Sequence, residues 1–203
     1  MINKTHWYDG WFYDKFIAPN QDKLFLIIKN LIEPNSTILD VGCGTGRFSF
    51  TIADKSKFIL GIDLSSRNIE KANSNLAKYP NEKISFLHAE ISEVISKNYH
   101  FDYAVMTYVI HEVNEEKRIK LLKDTSYVAD KIIIGDYLVP KPSGFWSALN
   151  EVVEFAAGSE HYKNYKNYVD NSGLKFLAEK AELKIIKEIK NKPFTSHIIV
   201  LTK

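Results

Sequence analysis

Several features that would place a chain outside the cell or in a membrane are scarce in this sequence. Cys43 is the one cysteine among 203 residues, so no disulfide forms within the chain, which is typical of a reducing compartment. No apolar stretch approaches the roughly 20 residues that a membrane-spanning helix needs. The polar and aromatic first residues lack the apolar core of a signal peptide. We therefore expect a cytoplasmic protein that works without a membrane.

An excess of charge of one sign is also lacking. The 27 Lys and Arg residues nearly balance the 25 Asp and Glu residues, and the formal net charge is +2. No basic run forms a stripe that would follow a phosphate backbone, so we do not expect nucleic acid as a partner. With 45% hydrophobic residues, the composition is that of a globular protein, and the length predicts a single domain over residues 1–203. Both a monomer and a homodimer are compatible with it.

Short β-rich apolar runs alternate with longer amphipathic segments from about residue 37 onward. Such an alternation predicts a mostly parallel sheet covered by helices on both faces. The predicted strands are 37–41, 58–63, 84–88, 101–106, 131–137, 183–190 and 195–202. The predicted helices are 20–33, 46–55, 66–79, 90–97, 115–129 and 171–181, with Ser65 and Asn114 as N-caps of two of them.

Three parts of the chain depart from this alternation. The last two strands follow each other across a short turn, which predicts an antiparallel hairpin and a seven-stranded sheet with one antiparallel strand. Residues 138–170, rich in aromatics, are an insertion that either packs as a helical cap or forms a lid over a substrate. The aromatic segment 1–34 precedes the first strand.

The segment 38–46, ILDVGCGTG, carries a glycine-rich turn at the end of the first strand. In an open parallel sheet, ligands bind beyond the carboxyl ends of the strands. Gly42, Gly44 and Gly46 allow a tight turn and direct contact between ligand and backbone. The spacing is G-x-G-x-G, however, and Arg47 stands where the dinucleotide fingerprint needs a small residue. Asp40 would repel a pyrophosphate but attract a ligand with a cationic end.

Asp63 ends the second predicted strand, in the segment GIDLS. A carboxylate at this position accepts hydrogen bonds from a ribose diol in nucleotide-binding sheets. Together, Asp40 and Asp63 predict a nucleoside that lacks a pyrophosphate and carries positive charge. S-adenosylmethionine, with its ammonium and sulfonium groups, meets that description.

The segments ILDVGCGTG, GIDLS and FDYAVMTYVIHEV and the closing strand pair resemble the class I S-adenosylmethionine-dependent methyltransferases. The resemblance implies a Rossmann-like three-layer α/β/α fold, with S-adenosyl-L-methionine as cofactor and S-adenosyl-L-homocysteine as product. It places Asp40 and the Gly42–Gly46 loop beside the methionine part of the cofactor and Asp63 on the ribose. The other cofactor residues that it implies are Leu64, Glu90 and Ile91 around the adenine, Met106 and Thr107 at the methionine end, and Tyr13 (with Tyr8 as an alternative) at the cofactor carboxylate. In this family Gly-Asp usually follows the third strand, where this chain has Ala89-Glu90.

The acceptor side is predicted from two histidines. His111 leaves the fourth strand at the predicted cleft, and His161 lies in the aromatic insertion expected to fold over it. Either one is a structural side chain or a catalytic base, since an unperturbed histidine titrates near neutral pH. No metal site is predicted. The leading interpretation is methyl transfer to a small-molecule acceptor, and the alternative is a non-catalytic S-adenosylmethionine-binding regulatory module.

Overall fold

The structure is a computed structural model that describes the backbone of residues 18–156, 158–171, 173–192 and 195–203, with side chains from residue 21. The strands are β1 Ser36–Val41, β2 Ser56–Asp63, β3 Ile84–His88, β4 Phe101–Thr107, β5 Ala129–Tyr137, β6 Lys184–Asn191 and β7 Ser196–Thr202. The helices are α1 Ala18–Leu31, α2 Arg47–Ile52, α3 Ser66–Lys78, α4 Ile91–Ser96, α5 Glu115–Val128, α6 Phe145–Ala156, α7 Ser159–Asn171 and α8 Gly173–Lys180.

The strands form a single seven-stranded sheet in the order β3-β2-β1-β4-β5-β7-β6. Strands β1 to β5 pair in parallel, and β7 runs antiparallel to both β5 and β6. The predicted sheet with one antiparallel strand is therefore confirmed, with strand ends that differ from the prediction by two residues at most. The strand order reverses between β1 and β4, which creates a crevice at their carboxyl ends.

Each central strand is buried on both faces, because neighbouring residues point into two separate cores. In β1, Ile38 belongs to the core under α1, α2 and α3, whereas Leu39 belongs to the core under α4, α5, α7 and α8. The continuous apolar runs in the sequence follow from this double burial. Burying one such side chain stabilises the folded protein by about 1.5–3 kcal/mol. The two cores therefore keep the strand ends that carry the site in place.

Two predicted helix caps are present. The Ser65 hydroxyl accepts a 3.3 Å hydrogen bond from the Asn68 N–H at the start of α3. The Asn114 side chain accepts one of 3.1 Å from the Glu116 N–H at the start of α5. Both side chains satisfy backbone donors that the first helical turn leaves without a carbonyl partner.

The insertion 138–170 contains two helices that differ in burial. Helix α7 is part of the core, since Tyr165 and Tyr168 are fully or almost fully buried against the sheet. Helix α6 leaves Phe145 and Phe155 exposed by 73% and 68%. The insertion is therefore partly a structural layer and partly an apolar surface. Among the described residues, no helix combines the length and the apolar character needed to cross a bilayer.

Candidate functional site

The glycine loop lies at the carboxyl end of β1 and leads directly into α2. Gly42, Gly44 and Gly46 all have positive φ, between 54° and 85°, a conformation that L side chains rarely adopt. A Cβ at Gly42 would stand 2.6 Å from the Val109 side chain, and one at Gly46 would stand 2.5 Å from Phe86. A Cβ at Gly44 would meet nothing within 4 Å. The two outer glycines are required by packing, and the middle one borders open space.

Asp63, at the end of β2, is hydrogen-bonded to the glycine loop. Its Oδ2 accepts a 2.8 Å hydrogen bond from the Gly44 N–H, and its Oδ1 accepts one of 2.8 Å from the Ser65 N–H. The carboxylate is half-buried. It thus joins the two strand ends that the ligand was predicted to contact, and it keeps lone pairs for further donors.

Asp40 is fully buried behind this loop. The Ser49 hydroxyl of α2 donates a 2.6 Å hydrogen bond to its Oδ2, while Oδ1 has no hydrogen-bond partner among the described residues. Burial raises the pKa of Asp40 to about 7, and the nearby charge of Asp63 adds to the rise, although the Ser49 hydrogen bond opposes it. A buried carboxylate oxygen without a donor fits a site for a ligand that carries an ammonium or sulfonium group.

The residues predicted for the adenine follow directly after β2 and β3. Leu64 exposes 70% of its surface, as a side chain that packs on a flat ring would. Glu90 is the N-cap of α4 and forms a reciprocal capping box with Glu93, so one of its functions is to start that helix. Ile91 is buried in the core, with 8% of its surface exposed.

The loop after β4 reaches the glycine loop through Val109, whose side chain occupies the space beside Gly42. Met106 is completely buried in the core, whereas Thr107 is half-buried. Tyr13, predicted to bind the cofactor carboxylate, and its alternative Tyr8 lie outside the described residues.

Arg47, which stands where a dinucleotide site needs a small residue, contacts side chains of α1. Its guanidinium donates to Gln21 at 2.9 Å and to Asp22 at 2.6 Å, and it lies over the Phe25 ring. Arg47 therefore joins the first turn of α2 to α1.

His111 lies at the same edge of the sheet and is almost completely buried. Its Nδ1 donates a 2.7 Å hydrogen bond to Oδ1 of Asp136, which is fully buried at the end of β5. The backbone N–H of His111 donates to Oδ2 of the same carboxylate at 3.3 Å. The aspartate therefore fixes both the ring orientation and the tautomer of His111.

His161 lies next to His111, as the prediction of a shared cleft required. The two ring centroids are 5.7 Å apart, and Glu154 of α6 lies between the rings. Its Oε2 is 3.6 Å from Nε2 of His111 and is hydrogen-bonded to Nε2 of His161. Its Oε1 accepts a 2.5 Å hydrogen bond from the Tyr137 hydroxyl. This histidine cluster comprises His111, His161, Glu154, Asp136, Tyr137 and Glu112.

The expectation that either histidine has an ordinary pKa does not hold in this environment. Burial alone would lower the pKa of His111, but the charges of Asp136 and Glu154 outweigh it and raise the pKa to about 9. Burial also opposes protonation of His161, but the hydrogen bond to Glu154 and the charges of Glu112 and Glu154 together outweigh it, so that this pKa is raised as well. Without another cation, the His111 ring is therefore protonated at neutral pH.

Sequence reasoning missed most of this cluster and the residue beneath it. No sequence motif surrounds Glu154. The only feature of the sequence that pointed to Asp136 was its position at the end of a predicted strand. Arg118, fully buried, was also missed. It donates to Ile110 O, Val113 O, His111 O, Asn164 O and Asn167 Oδ1, at distances of 2.7–3.4 Å. Arg118 thereby joins the His111 loop to α7.

Comparison with known proteins gives a consistent result. Residues 38–130 match a family model described as a methyltransferase domain. A probable cobalt-precorrin-6B C(15)-methyltransferase (decarboxylating) of Methanococcus maripaludis is 31% identical over 106 residues, which are 51% of this chain and 56% of the relative. A putative protein N5-glutamine methyltransferase of Methanocaldococcus jannaschii is 35% identical over 80 residues, 38% of this chain and 40% of the relative. The chain spans about half the length of these curated relatives.

The fold is similar to that of a solved enzyme. The magnesium protoporphyrin IX methyltransferase of Synechocystis, solved with bound S-adenosylhomocysteine, aligns with a TM-score of 0.65 over 96% of this chain and 88% of that chain. The sequence identity is 13%, so this likeness concerns the fold.

Proposed function

We propose that this chain, whose residues 38–130 match a methyltransferase-domain model, is a class I S-adenosylmethionine-dependent methyltransferase that transfers a methyl group from S-adenosylmethionine to a small-molecule acceptor. The observation that carries this proposal is the pair of carboxylates at the ends of adjacent strands. Asp63 is hydrogen-bonded to Gly44, and Asp40, two residues before the loop, has a buried oxygen without a partner among the described residues. These residues fit the ribose and the cationic methionine end of the cofactor.

The residues of this chain act mainly by positioning. S-adenosylmethionine supplies an activated methyl group when bound, so the protein needs to hold the acceptor atom in line with it. Open space at Gly44 admits the cofactor to the backbone, and exposed Leu64 offers an apolar surface for the adenine. Glu90 has the carboxylate that we assign to the adenine amino group, in addition to its capping function.

We assign the acceptor end of the site to the histidine cluster. Val109 packs against Gly42, and His111 follows two residues later, which supports a position of this cluster close to the methionine end of the cofactor. The aromatic rings of Tyr137 and Tyr165 pack in edge-to-face contact with the His111 ring. Such an aromatic wall suits a flat or apolar small molecule and excludes water from the transfer.

The choice of a small molecule rests on this enclosed cluster, on the balanced charge and on one relative's name. The first of the relatives above is named for a precorrin acceptor, whereas the second is named for a protein glutamine. At the end of β4, the segment MTYV replaces the Asn-Pro-Pro-Tyr type of motif found in many methyltransferases that modify amides or nucleic-acid amino groups.

An acceptor screen tests the proposal. The purified chain is incubated with S-adenosylmethionine carrying a deuterated methyl group and with separate small-molecule, protein and RNA fractions, and S-adenosylhomocysteine and the labelled products are measured. We expect label in the small-molecule fraction with wild type and a strong loss with Asp63→Ala. Label confined to protein or RNA would contradict the acceptor class. Tight cofactor binding with no label in any fraction would favour a non-catalytic binding module.

A further inference from the structure

Three side chains from separate parts of the chain converge on one small space. One ring nitrogen each of His111 and His161 and a carboxylate oxygen of Glu154 all lie within 4.8 Å of one another. They come from the loop after β4, from α7 and from α6. Oε1 of Glu112 is 3.9 Å from both imidazole nitrogens, which adds a fourth donor atom.

These separations are close to those around a small tetrahedral ion. Metal–ligand bonds of about 2.0–2.2 Å place neighbouring ligands about 3.3–3.6 Å apart. The Glu154–His111 distance of 3.6 Å already fits, and the two 3.9 Å distances from Glu112 are slightly longer. The direct contact of His161 with Glu154 would lengthen as an ion replaced the proton that they share.

Two of the three central ligands, His111 and Glu154, are each held by a second residue on β5. Asp136 accepts from Nδ1 of His111 at 2.7 Å, which leaves the Nε2 lone pair directed at the other ligands once that nitrogen is deprotonated. The Tyr137 hydroxyl donates to Oε1 of Glu154 at 2.5 Å, so that Oε2 faces the imidazoles. A carboxylate behind a histidine ligand and a hydrogen bond to a carboxylate ligand are the outer-shell contacts found around protein metal sites.

The burial and chemistry of the donors indicate which ion would bind. His111 is 2% exposed, Glu154 4% and Asp136 0%, so the carboxylate charges here need a buried counter-charge. Two imidazoles with carboxylates suit zinc and similar first-row ions, whereas magnesium and calcium prefer sites built of oxygen alone. We propose that His111, His161 and Glu154 bind a divalent first-row metal ion of the zinc type, with Glu112 as a fourth, displaceable ligand.

Such an ion would fasten the insertion to the catalytic edge of the sheet. His111 belongs to the loop that contacts Gly42 through Val109, whereas Glu154 and His161 belong to α6 and α7. Glu112 is about half exposed, and an oxygen, nitrogen or sulfur atom of an acceptor could take its place. Metal binding itself does not depend on methyl transfer, so its failure would leave the proposed function untouched.

Cobalt(II) titration of the full chain, with any affinity tag removed, tests the proposal. We expect one equivalent to bind with the intense visible absorption bands of a four-coordinate ion, and zinc to displace it. X-ray absorption at the zinc edge should then show two imidazoles in the wild-type protein. Binding of less than one equivalent at micromolar protein, or a spectrum without imidazole ligands, would overturn the proposal.

Variants locate the ion. Glu154→Gln and His161→Gln should abolish the visible bands, and Asp136→Asn should weaken metal affinity by about 10–100-fold, as loss of an outer-shell partner typically does. The control is His100→Gln, since His100 makes a similar 2.8 Å pair with Asp130 at the opposite edge of the sheet. The His100→Gln variant should bind cobalt(II) as the wild-type protein does. If Glu154→Gln and His161→Gln both bind the metal ion as fully as wild type does, the cluster is a hydrogen-bond network and not a metal site. If a variant does not fold, the X-ray absorption spectrum of the wild-type protein decides whether the histidines bind the ion.

Discussion

The backbone N–H of Gly44 donates a 2.8 Å hydrogen bond to Oδ2 of Asp63, across the gap between two neighbouring strand ends. The aspartate therefore has two tasks. It shapes the glycine loop, and in our proposal its remaining lone pairs accept hydrogen bonds from the cofactor ribose. A change at either residue therefore affects the loop conformation as well as the proposed cofactor site.

Replacing Asp63 with alanine should weaken S-adenosylmethionine binding at least tenfold. Each hydrogen bond to a charged group contributes about 1.5–3 kcal/mol, and about 1.4 kcal/mol is tenfold in affinity. The variant should also be less stable, because the Gly44 and Ser65 N–H groups lose their acceptor. Calorimetry measures the affinity and thermal unfolding the stability.

Asp102→Ala is the matched control for that variant. Asp102 accepts a 2.6 Å hydrogen bond from the Thr37 N–H at the opposite edge of the sheet. The Asp102→Ala variant should be less stable than wild type but should bind the cofactor with unchanged affinity. Equal affinity of wild type and Asp63→Ala would show that Asp63 does not bind the ribose.

Gly44→Ala should reduce cofactor affinity far more than it reduces stability. Its φ of +54° costs an alanine about 1–2 kcal/mol, and the added methyl would point into space that the cofactor needs. Gly144→Ala is the control, because Gly144 has a φ of +124° and also borders open space, but in the loop before α6. Comparable losses of affinity in both variants would mean that the Gly44 effect is only backbone strain.

Cofactor affinity should rise with pH through Asp40. Burial raises the pKa of this group from 3.8 to about 7, so the folded protein keeps its proton up to near neutral pH. The contribution of the protonated form to stability is complete below pH 3.8 and is lost as the pH rises through 7. A cationic ligand, however, binds the ionised form, so affinity should increase between pH 6 and 7.5.

Asp40→Asn separates this effect from titration of the ligand itself. The amide keeps the size of the side chain and an acceptor for Ser49, but it cannot ionise. Binding by the variant should be weaker at pH 7.5 and nearly independent of pH in the same calorimetric series. An unchanged slope would assign the pH dependence to another group.

Arg118→Lys should destabilise the chain by about 2–3 kcal/mol, because an ammonium cannot replace the planar fork that contacts several carbonyls at once. For a chain of this size that is roughly 5–10 °C in melting temperature. The exposed Arg67→Lys should change it little. A small effect of Arg118→Lys would show that the carbonyls find water or lysine as donors.

The sequence by itself determined the sheet, and it predicted the cofactor end of the site. Strands buried on both faces must be continuously apolar, and the glycine positions with positive φ tolerate few other residues, so both leave a local pattern. The resemblance to a known family added Leu64, Glu90 and the other cofactor positions. These depend on short stretches of chain at the ends of single strands.

Only the tertiary structure decided what surrounds the two histidines. Asp136 and Glu154 are far from His111 in sequence, whereas Arg118 follows it by seven residues on α5, and packing of α5, α6 and α7 on the sheet brings all of them together. The same packing changes the pKa of His111, since a shift depends on burial and on charges contributed by other elements. Local patterns contain no information on such contacts, so sequence could name the histidines but not their chemistry.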